Sequence, residues 1–167
     1  WLAKLPLPDD DGDVPELEYA TLRLAQRCGI TTPPMQRVQV GNQSVTLSRR
    51  FDRYWFGGQP RPVRVIPHHT PFPQQKEGRI HAVSATTLLG VDEMTAHVFG
   101  WTDLVAAYRE HAFPRGLSID LEELFRRAVF SMLTGDAQDP FANTTFLWDI
   151  SRAGWKLAPF YGARPAV

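Results

Sequence analysis

The segment Gly135-Asp136-Ala137-Gln138-Asp139-Pro140-Phe141-Ala142-Asn143 has the spacing of a phosphoryl-transfer loop whose base has been replaced. In such loops an Asp that accepts the proton of the attacking hydroxyl stands five residues ahead of a metal-binding Asn. Asn143 is present, and five residues before it stands Gln138. A neutral amide can hydrogen-bond a hydroxyl but has no useful basicity at neutral pH. Asp139 and Asp136 lie four and seven residues before Asn143, out of register for the base, and only a reshaped loop would swing Asp139 inward. The same chemistry needs a cation on the phosphates, supplied by a strand Lys that a helix Glu orients. Lys4 and Glu18 are the candidates.

The elements that must position these groups follow from local patterns. Residues 1 to 5 read as a short strand, and Pro6 to Asp13 interrupts it. Asp13 caps a helix with Pro15 in its first turn, Leu17, Ala20 and Leu24 on its apolar side, and Gly29 at its end. Val38–Val40, the Gly41-Asn42 turn and Val45–Phe51 predict a hairpin, with Val45, Leu47 and Arg49 alternating on one buried face. From Asp52 to Glu77 prolines and glycines multiply, which predicts a long loop or insertion holding a short strand at Val63–Ile66. Helices are expected over 82–89, 92–99, 102–112 and 120–134. In the last, Asp120 and Glu123 read as a capping box, and Leu121, Leu124, Phe125, Ala128 and Met132 as the core stripe. Gly135 ends it and releases the chain into the loop. Thr145–Asp149 and Trp155–Ala158 predict a second hairpin.

Composition narrows the function classes. The chain has 167 residues, 43% hydrophobic and 22% charged, which suits a globular domain or two small lobes and not a disordered chain. Eighteen basic and eighteen acidic residues cancel, so no net charge draws the molecule to nucleic acid or lipid. Cys28 is the single cysteine. It excludes an internal disulfide, suits a reducing cytoplasm and reads as a small buried hydrophobe at a helix end. No apolar run approaches the roughly 20 residues that span a bilayer. Asp9-Asp10-Asp11 lacks the alternation of a calcium loop, and His68-His69 would point apart on an extended segment. The serines lack a nucleophile elbow, and no zinc-spaced cysteines or Walker loop occur. Asp149 could stand in as a metal ligand, but reads better as a turn carboxylate.

Six blocks in fixed order carry a wider resemblance: Trp1–Leu5, Asp13–Ala20, Arg50–Arg53, Leu88–Met94, Asp120–Gly135 and Leu157–Tyr161. Together they resemble the C-terminal kinase portion of HipA, the serine/threonine kinase toxin of bacterial toxin-antitoxin modules. The resemblance implies an α+β, two-lobed kinase-like fold, with a small sheet-containing lobe over 1–52, a loop or insertion over 53–80 and a mainly helical lobe over 81–167. It implies ATP and Mg2+ as ligands. Lys4, Glu18, Arg49, Phe51 and Tyr161 would then face nucleotide, Arg49 to Phe51 touching adenine through the backbone, and Asn143 would bind metal. Three departures stand out: Gln138 for the base Asp, Pro140 for a His, and Gly162 for a metal-binding Asp. The opening at Trp1 suggests a piece of a longer chain, with a further subdomain and a glycine-rich, autophosphorylated loop upstream.

Family analogy extends to partners: a HipB-like helix-turn-helix antitoxin, DNA only through that complex, glutamyl-tRNA synthetase as protein substrate, and the bacterial cytoplasm with no membrane. Three functions remain open on the sequence. The chain is an impaired serine/threonine kinase, a pseudokinase that binds the antitoxin complex, or a remnant that binds nothing specific.

Overall fold

The computed structural model describes residues 1–8, 10, 12–56, 76–92, 94–136, 141 and 143–165. Strands β1 (Leu2–Lys4), β2 (Met35–Val40) and β3 (Gln43–Ser48) form an antiparallel sheet of order β1-β3-β2. Lys4 pairs with Thr46 and Val40 with Gln43, so the Gly41-Asn42 turn closes the hairpin as the sequence predicts. Helix α1 (Val14–Arg27) packs on this sheet, and the Thr46 hydroxyl donates to the Pro15 carbonyl at 2.8 Å. Asp13 caps the helix by accepting from the Glu16 amide at 3.1 Å.

The buried face of α1 differs from the predicted one. Pro15, Glu18, Thr21, Leu22 and Ala25 are buried, whereas Ala20 is exposed and Leu24 is 47% exposed. The stripe is rotated by one residue because its inner face carries a paired carboxylate, Glu18, that an apolar count passes over. Cys28 is also exposed. It lies at the helix C-cap, where its amide bonds back to Leu24 and Ala25, and its thiol faces outward.

Strands β4 (Arg53–Phe56) and β5 (Lys76–Arg79) pair antiparallel, so both ends of the predicted loop are strand. Arg53 reaches Glu77 across this ribbon and Asp52 at its base. Val63–Ile66 lies outside the described residues. The helix predicted over 82–89 begins as strand β6 (Ala82–Ser84) and turns helical only in α2 (Ala85–Leu89), because Ser84 caps it by accepting from the Thr87 amide at 3.2 Å. The helix predicted over 92–99 reduces to a single 3-10 turn at Ala96–Val98. Asp92 accepts there from the Thr95 amide and hydroxyl at 2.8 and 2.7 Å, a local bond that competes with continued helix.

Helices α3 (Trp101–His111) and α4 (Leu117–Thr134) follow. No capping box forms at Asp120 and Glu123, because α4 starts at Leu117 and both carboxylates point into the fold. Its predicted stripe is half right: Leu124 and Ala128 are buried, but Phe125 and Met132 are 70% and 72% exposed. Glu123 and Arg127 occupy the buried face instead. Gly135 ends the helix in the left-handed region, at φ 64, where glycine alone carries no Cβ penalty.

Strands β7 (Thr145–Asp149) and β8 (Gly154–Leu157) make the predicted hairpin, with β6 on the other side of β7. Ala85, Leu104, Tyr108, Leu124, Phe141 and Phe146 form one core under this sheet. Tyr108 stacks on Phe146 at 4.5 Å and donates to Asp120, while the Leu157 amide donates to the same carboxylate at 3.0 Å. Burial raises the Tyr108 phenol well above its ordinary pKa, and Asp120 adds to that. The second core joins Leu22, Ala25 and Ile30 to Phe130, Phe160 and Ala163. Among the described residues no helix is long and apolar enough to cross a membrane.

Candidate functional site

The opening strand and first helix bring the predicted cation and carboxylate together. Lys4 donates from Nζ to Glu18 Oε2. The lysine side chain is 53% exposed and the glutamate 9%, so a buried acid anchors an ammonium that stays open to solvent. Strand β1 fixes Lys4 through its pairing with Thr46, and Thr46 in turn holds the first turn of α1.

A second pair forms where β3 leaves its sheet. The Arg49 amide donates to the Pro34 carbonyl at 2.9 Å, which fixes the strand exit. Asp52 accepts from Arg50 at 2.8 and 2.5 Å and from Arg53 at 3.1 Å. The Arg50 hydrogen bonds, against the opposing effect of burial and with help from the Arg53 bond, pull the Asp52 carboxyl down to about 2. Phe51, between Arg50 and Asp52 in sequence, lies 5.3 Å from the Tyr161 ring at a tilt of 47°. The Tyr161 hydroxyl shares a 2.7 Å hydrogen bond with Thr145 Oγ1 on β7.

The third pair is Asn143 and Gly162. Asn143 Nδ2 donates to the Gly162 carbonyl at 3.5 Å. A Cβ on Gly162 would meet Asn143 Cγ and Oδ1 at 3.0 Å, and the residue holds φ +72. The position where the resemblance expects a metal-binding carboxylate is therefore in contact with the expected metal-binding amide, in a backbone conformation that disfavours any side chain. Asp136 accepts from the Arg164 amide at 3.4 Å. Gln138, Asp139 and Pro140 lie outside the described residues.

Magnesium is usually held by carboxylates together with phosphates. Among the described residues no three of His, Cys, Asp and Glu gather to hold a metal, so these residues do not by themselves fit the ion. Asp149 does not fill the gap. It accepts from the Ser151 amide and hydroxyl at 3.1 and 2.6 Å and pairs with Lys156 at 3.4 Å, and the Ser151 hydrogen bond leads in holding its carboxyl below the ordinary range. Two open clefts, of about 350 Å³ beside Trp101 and Met132 and about 190 Å³ beside Phe113 and Trp155, touch neither Lys4 nor Asn143.

Sequence reasoning missed one buried arrangement altogether. Arg127 is 2% exposed; it bonds Glu123 Oε1 at 3.0 Å and the Ala158 carbonyl at 2.8 Å. Burial lowers the pKa of its guanidinium, and Glu123 opposes that shift. A Glu-Arg pair at i,i+4 on the face that also carries Leu124 and Ala128 was the available signal.

The chain matches the model of the HipA-like C-terminal domain over residues 1–166. No curated protein sequence matches it. Among solved structures it is similar to HipA of Shewanella oneidensis MR-1, determined as a toxin-antitoxin complex of HipA, HipB and operator DNA. The TM-score is 0.70 at 19% identity, over 98% of this chain and 36% of that one. It is similar also to the proinflammatory kinase CtkA of Helicobacter pylori, with a TM-score of 0.59 at 16% identity, over 95% of this chain and 47% of that one. The chain thus spans about a third of the first and about half of the second. The expected α+β, HipA-like kinase fold is borne out, and the chain belongs to the HipA-like C-terminal domain family.

Proposed function

We propose that this chain is the kinase-type portion of a HipA-like serine/threonine kinase, one that binds ATP and transfers its γ-phosphate to a protein hydroxyl poorly. The Lys4–Glu18 pair carries the reading: a buried carboxylate holding a half-exposed ammonium on an edge strand is the arrangement that phosphate binding requires. Phe51 and Tyr161 offer an aromatic surface for the base at the strand exit. Gln138, in the register of the base, cannot take the hydroxyl proton, so the transfer step is the one that suffers. Glutamyl-tRNA synthetase is the proposed substrate by family analogy, and the bacterial cytoplasm the proposed setting.

Radiolabelled ATP tests this. The parent should label glutamyl-tRNA synthetase slowly, only a little faster than Lys4→Ala, and Gln138→Asp should raise the rate by about tenfold or more. A parent already well above Lys4→Ala would overturn the impairment. A silent Gln138→Asp that also binds no ATP would overturn the kinase reading.

A second reading has its own observation. Gly162 at φ +72, packed on Asn143, puts no carboxylate where the resemblance expects one, and this favours a pseudokinase that engages a HipB-like antitoxin and reaches operator DNA only through it. Co-purification with such an antitoxin, with DNA retained only when the antitoxin is present, would support it. Direct DNA binding by the isolated chain would contradict it.

A further inference from the structure

We infer that Glu123 and Arg127 are positioning residues: this buried charged pair of α4 fixes where the Ala158–Gly162 segment runs against the connection between α1 and β2, and so holds Tyr161 and Gly162 in register with the helix that bears Glu18. The functional meaning of this tie rests on the nucleotide reading above.

The contacts form a closed circuit. Glu123 Oε1 accepts from the Thr31 amide at 2.9 Å and from Arg127 at 3.0 and 3.3 Å. Arg127 Nη2 also donates to the Ala158 carbonyl at 2.8 Å, and its guanidinium lies 5.5 Å from the centre of the Phe160 ring. The Phe160 amide closes the loop by donating to the Thr31 carbonyl at 2.7 Å. Three segments distant in sequence therefore meet at two side chains.

The choice of charges is informative. Two apolar side chains of similar volume would fill this space and often stabilise it as well, but dispersion has no direction. Hydrogen bonds to one carbonyl and one amide specify a register, and a register is what the neighbouring residues need. Tyr161 directly follows Phe160 and reaches both Thr145 and Phe51. Gly162 comes next, against Asn143. Leu22 and Ala25 of α1 share the core with Phe130, Phe160 and Ala163, so the helix carrying Glu18 is fixed to the same node.

Amide exchange in the 167-residue chain, together with ATP titration, tests the tie in Arg127→Met, Arg127→Lys and Glu123→Gln. Leu124→Ala, in the other core, is the control for lost stability. The tie predicts that exchange at Thr31 and Phe160 quickens about tenfold in the Arg127 variants and that ATP affinity falls by about the same factor, with neither change in Leu124→Ala. Arg127→Lys keeps a charge but cannot serve both acceptors in the planar fork, so it gives the readout should Arg127→Met not fold. Equal loosening of these amides in Leu124→Ala, or loosened amides with unchanged ATP affinity, would overturn the proposal. Loosening confined to the Glu123 and Arg127 variants in a parent that binds no ATP would support the tie and overturn the nucleotide reading alone.

Discussion

At the scale of single residues, Lys4 and Glu18 make a split that mutation can expose. Lys4 is half in solvent, so Lys4→Ala should change stability by about 1 kcal/mol or less, while ATP affinity falls about tenfold or more. Thermal melts with and without nucleotide measure both. Gly162→Asp, which places the carboxylate that the resemblance expects there, should destabilise by about 1–2 kcal/mol because of its φ of +72 and its contact with Asn143. A side chain at that position therefore needs relief in the backbone as well. Asp52 gives a pH prediction. Its folded pKa of about 2 lies below the ordinary value of about 4, so the unfolded chain binds the proton more tightly. The stability it contributes is complete above about pH 4 and is lost as pH falls toward 2. Asp52→Asn should flatten that part of the melting-temperature profile, and an unchanged acid limb would contradict the assignment. The Lys4–Glu18 pair could be named from sequence because kinase chemistry asks for a strand lysine oriented by a helix carboxylate and β1 and α1 supply one each, whereas the pairing of Asp52 with Arg50 and Arg53 emerged only from the structure. Arg127 was hidden because a charged residue at a helical position is counted as solvent-facing until its neighbours are known.

At the scale of elements, local punctuation was legible and the identity of buried faces was not. Asp13, the Gly41-Asn42 turn and Gly135 marked their boundaries correctly, since each satisfies or ends main-chain hydrogen bonding on its own. The stripes of α1 and α4 were misread because Glu18, Glu123 and Arg127 lie inside, paired, where a hydrophobic count expects apolar residues. Strands β4, β5 and β6 escaped for a different reason: their pairing depends on partners as far away as Leu147 is from Ala82, and nothing local in Ala82–Ser84 distinguishes strand from helix start. Two substitutions test how α3, α4 and β8 are joined. Asp120→Ala removes the acceptor of both the Tyr108 hydroxyl and the Leu157 amide, and should cost about 2–4 kcal/mol by chemical denaturation. Gly154→Ala places a Cβ 2.9 Å from the Phe113 amide nitrogen, a backbone clash worth about 1–3 kcal/mol. Neutral behaviour in either variant would contradict the packing described here.

At the scale of the whole molecule, the chain carries a HipA-like kinase fold whose two cores meet along α4. One face of that helix packs Leu124 under the β6-β7-β8 sheet, and an adjoining face packs Phe130 against α1 and Phe160. Arg127, between them in sequence, is a buried charge: Arg127→Met takes from Glu123 its nearer cation, leaving the Thr31 amide and Arg126 at 3.9 Å, and should cost about 3–5 kcal/mol. The fold class and the family could be read from the order of six sequence blocks, whereas the sharing of one helix by the two cores could not. The proposed function turns on Lys4 holding ATP. The most direct test is the melting temperature of the parent and of Lys4→Ala as ATP is raised to millimolar concentration. A ligand bound only by the folded chain should stabilise it by about 2.7 kcal/mol at a hundredfold excess over its dissociation constant, so the parent should melt progressively higher while Lys4→Ala lags far behind. No shift in the parent, or the same shift in both proteins, would contradict it.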